Sequence, residues 1–270
     1  MIKIYKEKAN FLKKYEAYFR ENEVTCSLMW GIIKKYDHLD LMIESRHNHD
    51  FVLGVRAGKN LILVANTFDE SLFKALVNFM EKIDYPGLVG RKDHCLLYHK
   101  LYKRLTGKEM IVTMDQRIYT CHQTHPVSMS RGHVRLASHK DIEKLSQWAY
   151  DFSREIGEDT DMDQAKKGVQ YLIDHKNLYV LDIDNQIVSM AGRTRALYLT
   201  ESIGYVFTPL DKRGNGYASK LVQVVTQGVI DDGKTAVLYT DLSNPTSNHI
   251  YMDIGYKPHI DSIMMHKIDE

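Results

Sequence analysis

Apolar residues along the chain recur with two spacings, and the spacing assigns most of the elements. Phe11, Leu12, Tyr15, Tyr18 and Phe19 share one side of a helical wheel, so Lys3 to Glu21 is read as a helix. Leu28 to Tyr36 follows as a second helical candidate. Two compact β-branched runs, 51–55 and 61–65, read as strands joined by a Gly-containing turn at 56–60. Ser71 to Lys82 has Leu72, Leu76, Phe79 and Met80 on one face, with Asp69 or Ser71 as its cap. Leu88 to Gly90 is a short strand, His94 to Thr106 a helix closed by Gly107, and Met110 to Thr120 an extended run.

After residue 125 the pattern lapses. His122 to His133 is polar, aperiodic and broken by Pro126 and Gly132, which marks a linker. Periodicity then returns. Val134 to Ala137 is a strand, and Ser138 to Asp141 starts a helix through Leu145, Trp148, Ala149 and Phe152. Asp161 to His175 is a second helix. Strands at 178–181 and 186–195 meet at Asp184-Asn185, a hairpin dipeptide, and Ser202 to Phe207 is a third strand. The order strand, two helices, three strands, helix, strand, helix, strand predicts an α+β domain with a mixed central sheet flanked by helices. The predicted division is 1–125, a linker at 126–133, and 134–270.

The most informative stretch is Tyr205 to Pro258. A strand ends at Thr208-Pro209, where proline removes a ladder donor. Arg213-Gly214-Asn215-Gly216-Tyr217-Ala218 follows, then a helix with Leu221, Val222, Val225 and Val229 on its apolar side. The first turn of a helix has main-chain N–H groups without intrahelical partners and partial positive charge. Two glycines let the backbone come close to a ligand, and Arg213 adds a charge suited to phosphate. Strand, Gly-rich turn and helix together make a diphosphate site. A second strand over Ala236–Tyr239, a turn at 240–245 and a short helix from Thr246 to Asp253 ending at Gly255 complete the stretch.

These two blocks resemble the GCN5-related N-acetyltransferase (GNAT) superfamily. Its acetyl-CoA loop has Arg or Gln, two residues, Gly, one residue, then Gly or Ala; Arg213, Gly216 and Ala218 match. Its later block has Asn, a small residue, Tyr, Gly and an aromatic; Asn244, Ser247, Tyr251, Gly255 and Tyr256 match. The resemblance covers Val134 to Lys267 well and the first half poorly. It implies the acyl-CoA N-acyltransferase fold and transfer of acetyl from acetyl-CoA to an amine by direct attack in a ternary complex. The alternative is a catalytically silent CoA-binding regulatory or sensor protein.

The resemblance also implies roles. Main-chain groups of Val206, Phe207 and Thr208 would pair with the pantetheine arm, and 213–218 would hold the diphosphate. Asn244 would hold the pantetheine end, although a helix cap is as good a use of Asn; Asn248, one turn on, would reach the same ligand. Tyr251 would be the general acid to the leaving sulfur, since a phenol is neutral at pH 7 and can donate. For the base, Glu155, Glu201 and, less favoured, Asp241 are open, as are a chain of waters or an amine that arrives neutral.

The first half has a similar order of elements, so it is expected to be a degenerate GNAT-like or packing domain. Its turn at the matching place, Asn66-Thr67-Phe68-Asp69-Glu70, has no Gly or Arg and ends in two carboxylates. Such a turn repels a diphosphate.

Composition narrows the rest. Of 270 residues 44% are apolar and 26% charged, and the net charge is +1, so no field points to nucleic acid or a membrane surface. The expected partner is a small-molecule or peptide amine, and nothing in the sequence marks an oligomeric state. The 13 His residues are scattered without metal-ligand spacing, and no metal is expected. Cys26, Cys95 and Cys121 are odd in number and widely spaced, which fits buried thiols rather than a disulfide framework. With no signal-type apolar core at the start and no run long enough to span a bilayer, a cytoplasmic location is expected.

Overall fold

A computed structural model describes residues 1–58, 60–127, 131–158 and 160–268. The centre of the expected linker, Ser128 to Ser130, and Lys59 of the expected hairpin turn lie outside the described residues. The chain forms two compact units: Met1–Ile118 with Thr240–Ser243 and His259–Glu270, and Tyr119–Tyr239 with Asn244–Pro258. A cut at 126–133 divides the chain differently, because the last strand belongs to the first unit.

The first unit begins with β1 (Ile2–Ile4), α1 (Lys8–Glu21), α2 (Glu23–Lys35) and the meander β2 (Leu41–His47), β3 (Asp50–Arg56) and β4 (Leu61–Ala65). Then come α3 (Glu70–Met80), β5 (Gly87–Arg91), α4 (Lys92–Thr106) and β6 (Met110–Cys121). The closing strand of the chain, β12 (Lys257–Lys267), lies between β5 and β6, pairing antiparallel with β5 over Ser262–His266. Its Ile263 and Met265 are buried in one core with Leu61, Phe73, Leu88 and Tyr98.

Two elements depart from the sequence expectation. Lys3 and Ile4, read as the helix start, lie in β1, which pairs with β2 instead. β2 itself has no clean alternation, because Glu44 stands in its middle. That carboxylate is buried and accepts from Tyr5 Oη (2.8 Å), Lys14 Nζ (2.7 Å) and Tyr15 Oη. A charge so partnered belongs in a core that a hydrophobicity pattern excludes it from.

The second unit contains β7 (His133–Leu136), α5 (Ile142–Glu155), α6 (Met162–Asp174), β8 (Leu178–Ile183), β9 (Gln186–Ala196) and β10 (Thr200–Phe207). These are followed by α7 (Tyr217–Asp231), β11 (Thr235–Asp241) and α8 (Pro245–Ile254). Its strand order is β11-β10-β9-β8-β7, with β10 and β11 parallel and the rest antiparallel. Local chemistry sets its ends as the sequence predicts. Ser138 and Asp141 form a capping box before α5, and Asp161 and Gln164 form one at α6. Asp184 and Asn185 both take positive φ, 51° and 65°, as a two-residue hairpin of the right twist requires.

The mixed α+β order expected for this half is observed. One side of the sheet packs on α7 through Leu221, Val222, Val225 and Val229; Leu145, Trp148, Val169 and Leu172 of α5 and α6 form a separate core with Val180 and Phe207. The three cysteines are buried free thiols. No helix among the described residues is long and apolar enough to cross a membrane.

Candidate functional site

The strand β10 is irregular where the sequence puts ligand-facing backbone. Gly204 faces Gly192 and Phe207 faces Met190, so three steps on β10 oppose two on β9. The extra residue makes a bulge, and Tyr205 there has φ 53°, a conformation that bulky residues seldom adopt. On its other edge, β10 pairs with β11 over only Thr200–Ser202 against Thr235–Val237. A bulge bends and twists its strand. Val206, Phe207 and Thr208 lie at the carboxyl end of β10. Thr208 Oγ1 is 2.9 Å from Ser189 Oγ, which anchors the strand end to β9.

A short 3-10 turn, Leu210–Lys212, leads from there to the Gly-rich loop. Gly214 and Gly216 have φ 77° and 71°, values that a Cβ would strain. A Cβ on Gly214 would meet no atom within 4 Å, so the glycine serves backbone conformation and leaves open space beside it. Gly216 is the N-cap of α7 with no side-chain cap, and no acidic residue stands in the first turn. The amides of Tyr217, Ala218 and Ser219 therefore have neither an intrahelical partner nor a carboxylate competing for their partial positive charge.

Arg213 is placed differently from the expectation. Its Nη2 donates to both carboxylate oxygens of Glu155, at 2.7 and 2.8 Å, and its Nε donates to the Thr208 carbonyl at 2.8 Å. Asn215 Nδ2 donates to the carbonyls of Lys212 and Arg213, both at 3.0 Å. Asn215 braces the loop on itself, and Arg213 ties it to the end of β10 and to α5. Glu155, a candidate base, is thereby held by Arg213.

The other candidate base lies at the opposite end of the strand. Glu201 is 3% exposed and pairs with Arg193 at 2.6 Å, which also meets Asp232 at 2.5 Å. Six residues of strand, roughly 20 Å, separate it from Phe207. Asp241 Oδ1 caps its own turn by accepting from Ser243 N–H at 2.7 Å.

The helix α8 brings the last three residues together. Asn244 is its N-cap, with Oδ1 accepting from Ser247 N–H at 3.0 Å. The capping use of Asn is thus realised, while Asn244 Nδ2 has no protein partner among the described residues. Asn248 is buried and spent on structure: its Oδ1 accepts from Tyr119 Oη at 2.9 Å and its Nδ2 donates to the Asn244 carbonyl at 2.7 Å. Tyr251 stands two turns after Asn244, on the same side of the helix. It is 8% exposed, and its hydroxyl has no protein partner among the described residues. Burial pushes its phenol up to about 12, so it stays protonated throughout the neutral range. The Tyr256 ring meets it edge-on at 6.0 Å, and the Tyr256 hydroxyl is occupied by Thr226 Oγ1 at 2.7 Å.

Sequence reasoning missed Tyr119 and Ser189. Each acts on a partner distant in sequence, through a hydroxyl in an otherwise ordinary strand, so no local pattern reports it. Among the described residues, no group of three or more His, Cys, Asp or Glu side chains is placed to hold a metal.

Residues 183–263, which include the bulged strand, the loop and α8, match the family model described as FR47-like protein. No curated protein matches the chain significantly. Three solved structures share the fold at low identity. The acetyltransferase of the GNAT family from Colwellia psychrerythraea is 14% identical, with all of both chains covered and a TM-score of 0.68. The GCN5-related N-acetyltransferase from Kribbella flavida is 13% identical over 92% of this chain and 95% of its own, with a TM-score of 0.66. Its counterpart from Sphaerobacter thermophilus is 15% identical over 88% and 85%, with a TM-score of 0.65. The chain therefore shares the fold of these GNAT acetyltransferase structures over 88–100% of its length.

Proposed function

We propose that this protein, built on the GNAT fold, is an N-acetyltransferase that moves the acetyl group of acetyl-CoA to a small-molecule or peptide amine. The observation that carries the proposal is the start of α7: two glycines at positive φ, no side-chain cap and no acidic residue in the first turn, following a bulged strand. These residues fit a diphosphate by charge and by space.

The thioester of acetyl-CoA supplies an activated acyl carbon. The chain's own residues do the rest. Amides of 214–218 hold the diphosphate, and main-chain groups of Val206, Phe207 and Thr208 align the pantetheine arm. Asn244 Nδ2 donates to that arm, and Asn248 keeps Asn244 in place rather than touching the ligand. The Tyr251 hydroxyl donates its proton toward the sulfur as the C–S bond breaks and the N–C bond forms. Glu155 and Glu201 are both held in ion pairs, so neither is assigned as base. An amine that arrives neutral needs none to attack, and the proton its nitrogen loses on becoming the amide passes through water to restore the Tyr251 phenol.

Calorimetry with acetyl-CoA, followed by single-turnover release of free thiol against a panel of amines, tests this. Binding with turnover that collapses in Tyr251→Phe is the expected result. Binding without turnover on a broad panel would make the protein a CoA-responsive regulator. No binding heat from folded protein would end the proposal.

A further inference from the structure

The first unit has an open sheet edge at β1. This strand stands at one end of the strand order and pairs with β2 alone. Arg46 N–H donates to the Met1 carbonyl at 3.2 Å and Tyr5 N–H to the Met42 carbonyl at 2.8 Å, with Lys3 opposite Glu44 between them. In an antiparallel pair, such bonded residues alternate with residues whose main-chain groups point away from the partner. Met1, Lys3 and Tyr5 are therefore bonded to β2, and Ile2 and Ile4 present N–H and C=O on the open side. Ile4 is 50% exposed, so solvent reaches that edge.

A groove lies beside this edge. Its volume is about 440 Å³, and residues 3–7 line it together with Asn10 and Lys14. All of these except Tyr5 are exposed, so the groove is open to solvent. Tyr5 faces α1: its ring meets Phe11 edge-on at 5.2 Å, and its hydroxyl donates to Glu44. Lys3 shares that face of β1, with Nζ 4.5 Å from the centroid of the Tyr5 ring. Glu7, Asn10 and Lys14 follow helical spacing on one side of α1 and its cap. The groove thus runs between the open edge of β1 and that side of the helix.

Charge selects the occupant. Residues 1–14 hold five lysines and one glutamate, in a chain whose net charge is +1. Lys14 is spent on the buried Glu44 at 2.7 Å, and Glu7 accepts from Asn10 Nδ2 at 2.9 Å. Lys3 and Lys6 have no carboxylate partner among the described residues. Lysines on a short edge strand keep copies of it from pairing with one another. The same charges favour a strand that brings carboxylates. A lipid surface would answer the charge and leave the main-chain groups unpaired. We propose that the open edge of β1 takes an extended acidic segment of a partner protein as an added strand. Its main chain pairs with Ile2 and Ile4, and its carboxylates meet Lys3 and Lys6 along the groove. This surface belongs to the first unit and does not depend on the Gly-rich loop.

The probe is a short fluorescein-labelled peptide alternating Glu and Val, titrated with full-length protein by anisotropy. It is expected to bind, to bind more weakly as salt rises, and to slow amide exchange at Ile4. Two changes separate main-chain pairing from charge. N-methylation of two consecutive central amides blocks either edge of the peptide and keeps every carboxylate. Ile4→Pro removes an open-edge donor and leaves the bonds to β2 in place. Each should weaken binding by at least about fivefold. Lys3→Gln with Lys6→Gln should do the same, and a peptide with Lys in place of Glu should not bind. No binding of the acidic peptide, or equal binding of its N-methylated form, would overturn the proposal. So would undiminished binding to a folded Ile4→Pro or double-Gln variant. Binding to phosphatidylserine vesicles but not to the peptide would replace the strand with a membrane. A dimer in sedimentation that Ile4→Pro dissolves would replace it with a second copy of this chain.

Discussion

Tyr251 is where a structural and a chemical use of one residue can be separated. Its ring is buried and its hydroxyl has no protein partner among the described residues, so removing that oxygen costs the fold almost nothing: Tyr251→Phe should shift stability by less than about 0.5 kcal/mol. As proton donor to the leaving sulfur, the same oxygen should matter to the reaction by about 100-fold or more. The expected outcome is a single-turnover rate down by that factor with acetyl-CoA affinity within about threefold. A rate unchanged in the variant would return Tyr251 to the core. His94 makes the residue-scale case in pH. Burial holds its imidazole down at about 4, against Asp93 and together with Arg91, from the ordinary 6.5. The unfolded chain therefore takes up this proton near pH 6.5 and the folded one only near 4. The stability concerned is fully present above 6.5 and is lost as pH falls toward 4, amounting to about 3 kcal/mol at the limit. Urea titrations across that window should show the slope in the wild type and a flatter one in His94→Phe.

At the scale of elements, the Gly-rich loop and α7 were legible because each signal is contiguous: breaker, glycines, then a periodic apolar face. Asn244 and Tyr251 were legible for the same reason, two turns apart on one short helix. The remainder of the site depends on which element lies beside which. The Arg213–Glu155 pair joins residues 58 apart in sequence, and the Tyr119–Asn248 bond joins residues 129 apart. That Glu201 stands at the start of β10 is plain from the sequence; that Arg193 of β9 holds it is set by the pairing of two strands. The loop can be tested apart from Arg213. Gly214→Ala meets no steric obstacle and adds only the strain of φ 77°, about 1 kcal/mol. If the loop amides hold a diphosphate, acetyl-CoA affinity should fall at least tenfold by calorimetry, well beyond that stability loss. An affinity unchanged in the folded variant would place the diphosphate elsewhere.

At the scale of the molecule, neither unit is a contiguous piece of sequence. The polar stretch at 126–133 looks like a boundary because it lacks a period, yet β12 closes the first unit's sheet and carries Ile263 and Met265 into the core formed by β4, α3 and β5. Composition could assign β12 as a strand, but its partner is set by a pairing some 170 residues away. The physical consequence is an order of folding. The first unit has an unpaired edge on β5 and an open core until the last residues of the chain are made, whereas the second unit has its sheet from β7 to β11 by then. A chain ending at Pro258 should therefore keep slow amide exchange in β8 and β9 and lose it in β4 and β5. Ile263→Ala, which removes side-chain volume from a fully buried position, should cost the first unit about 2–5 kcal/mol and leave exchange in β8 and β9 unchanged. Protection that survives truncation in β4 and β5 would mean that the first half completes its own sheet, and the exchange of strands between halves would carry no stability.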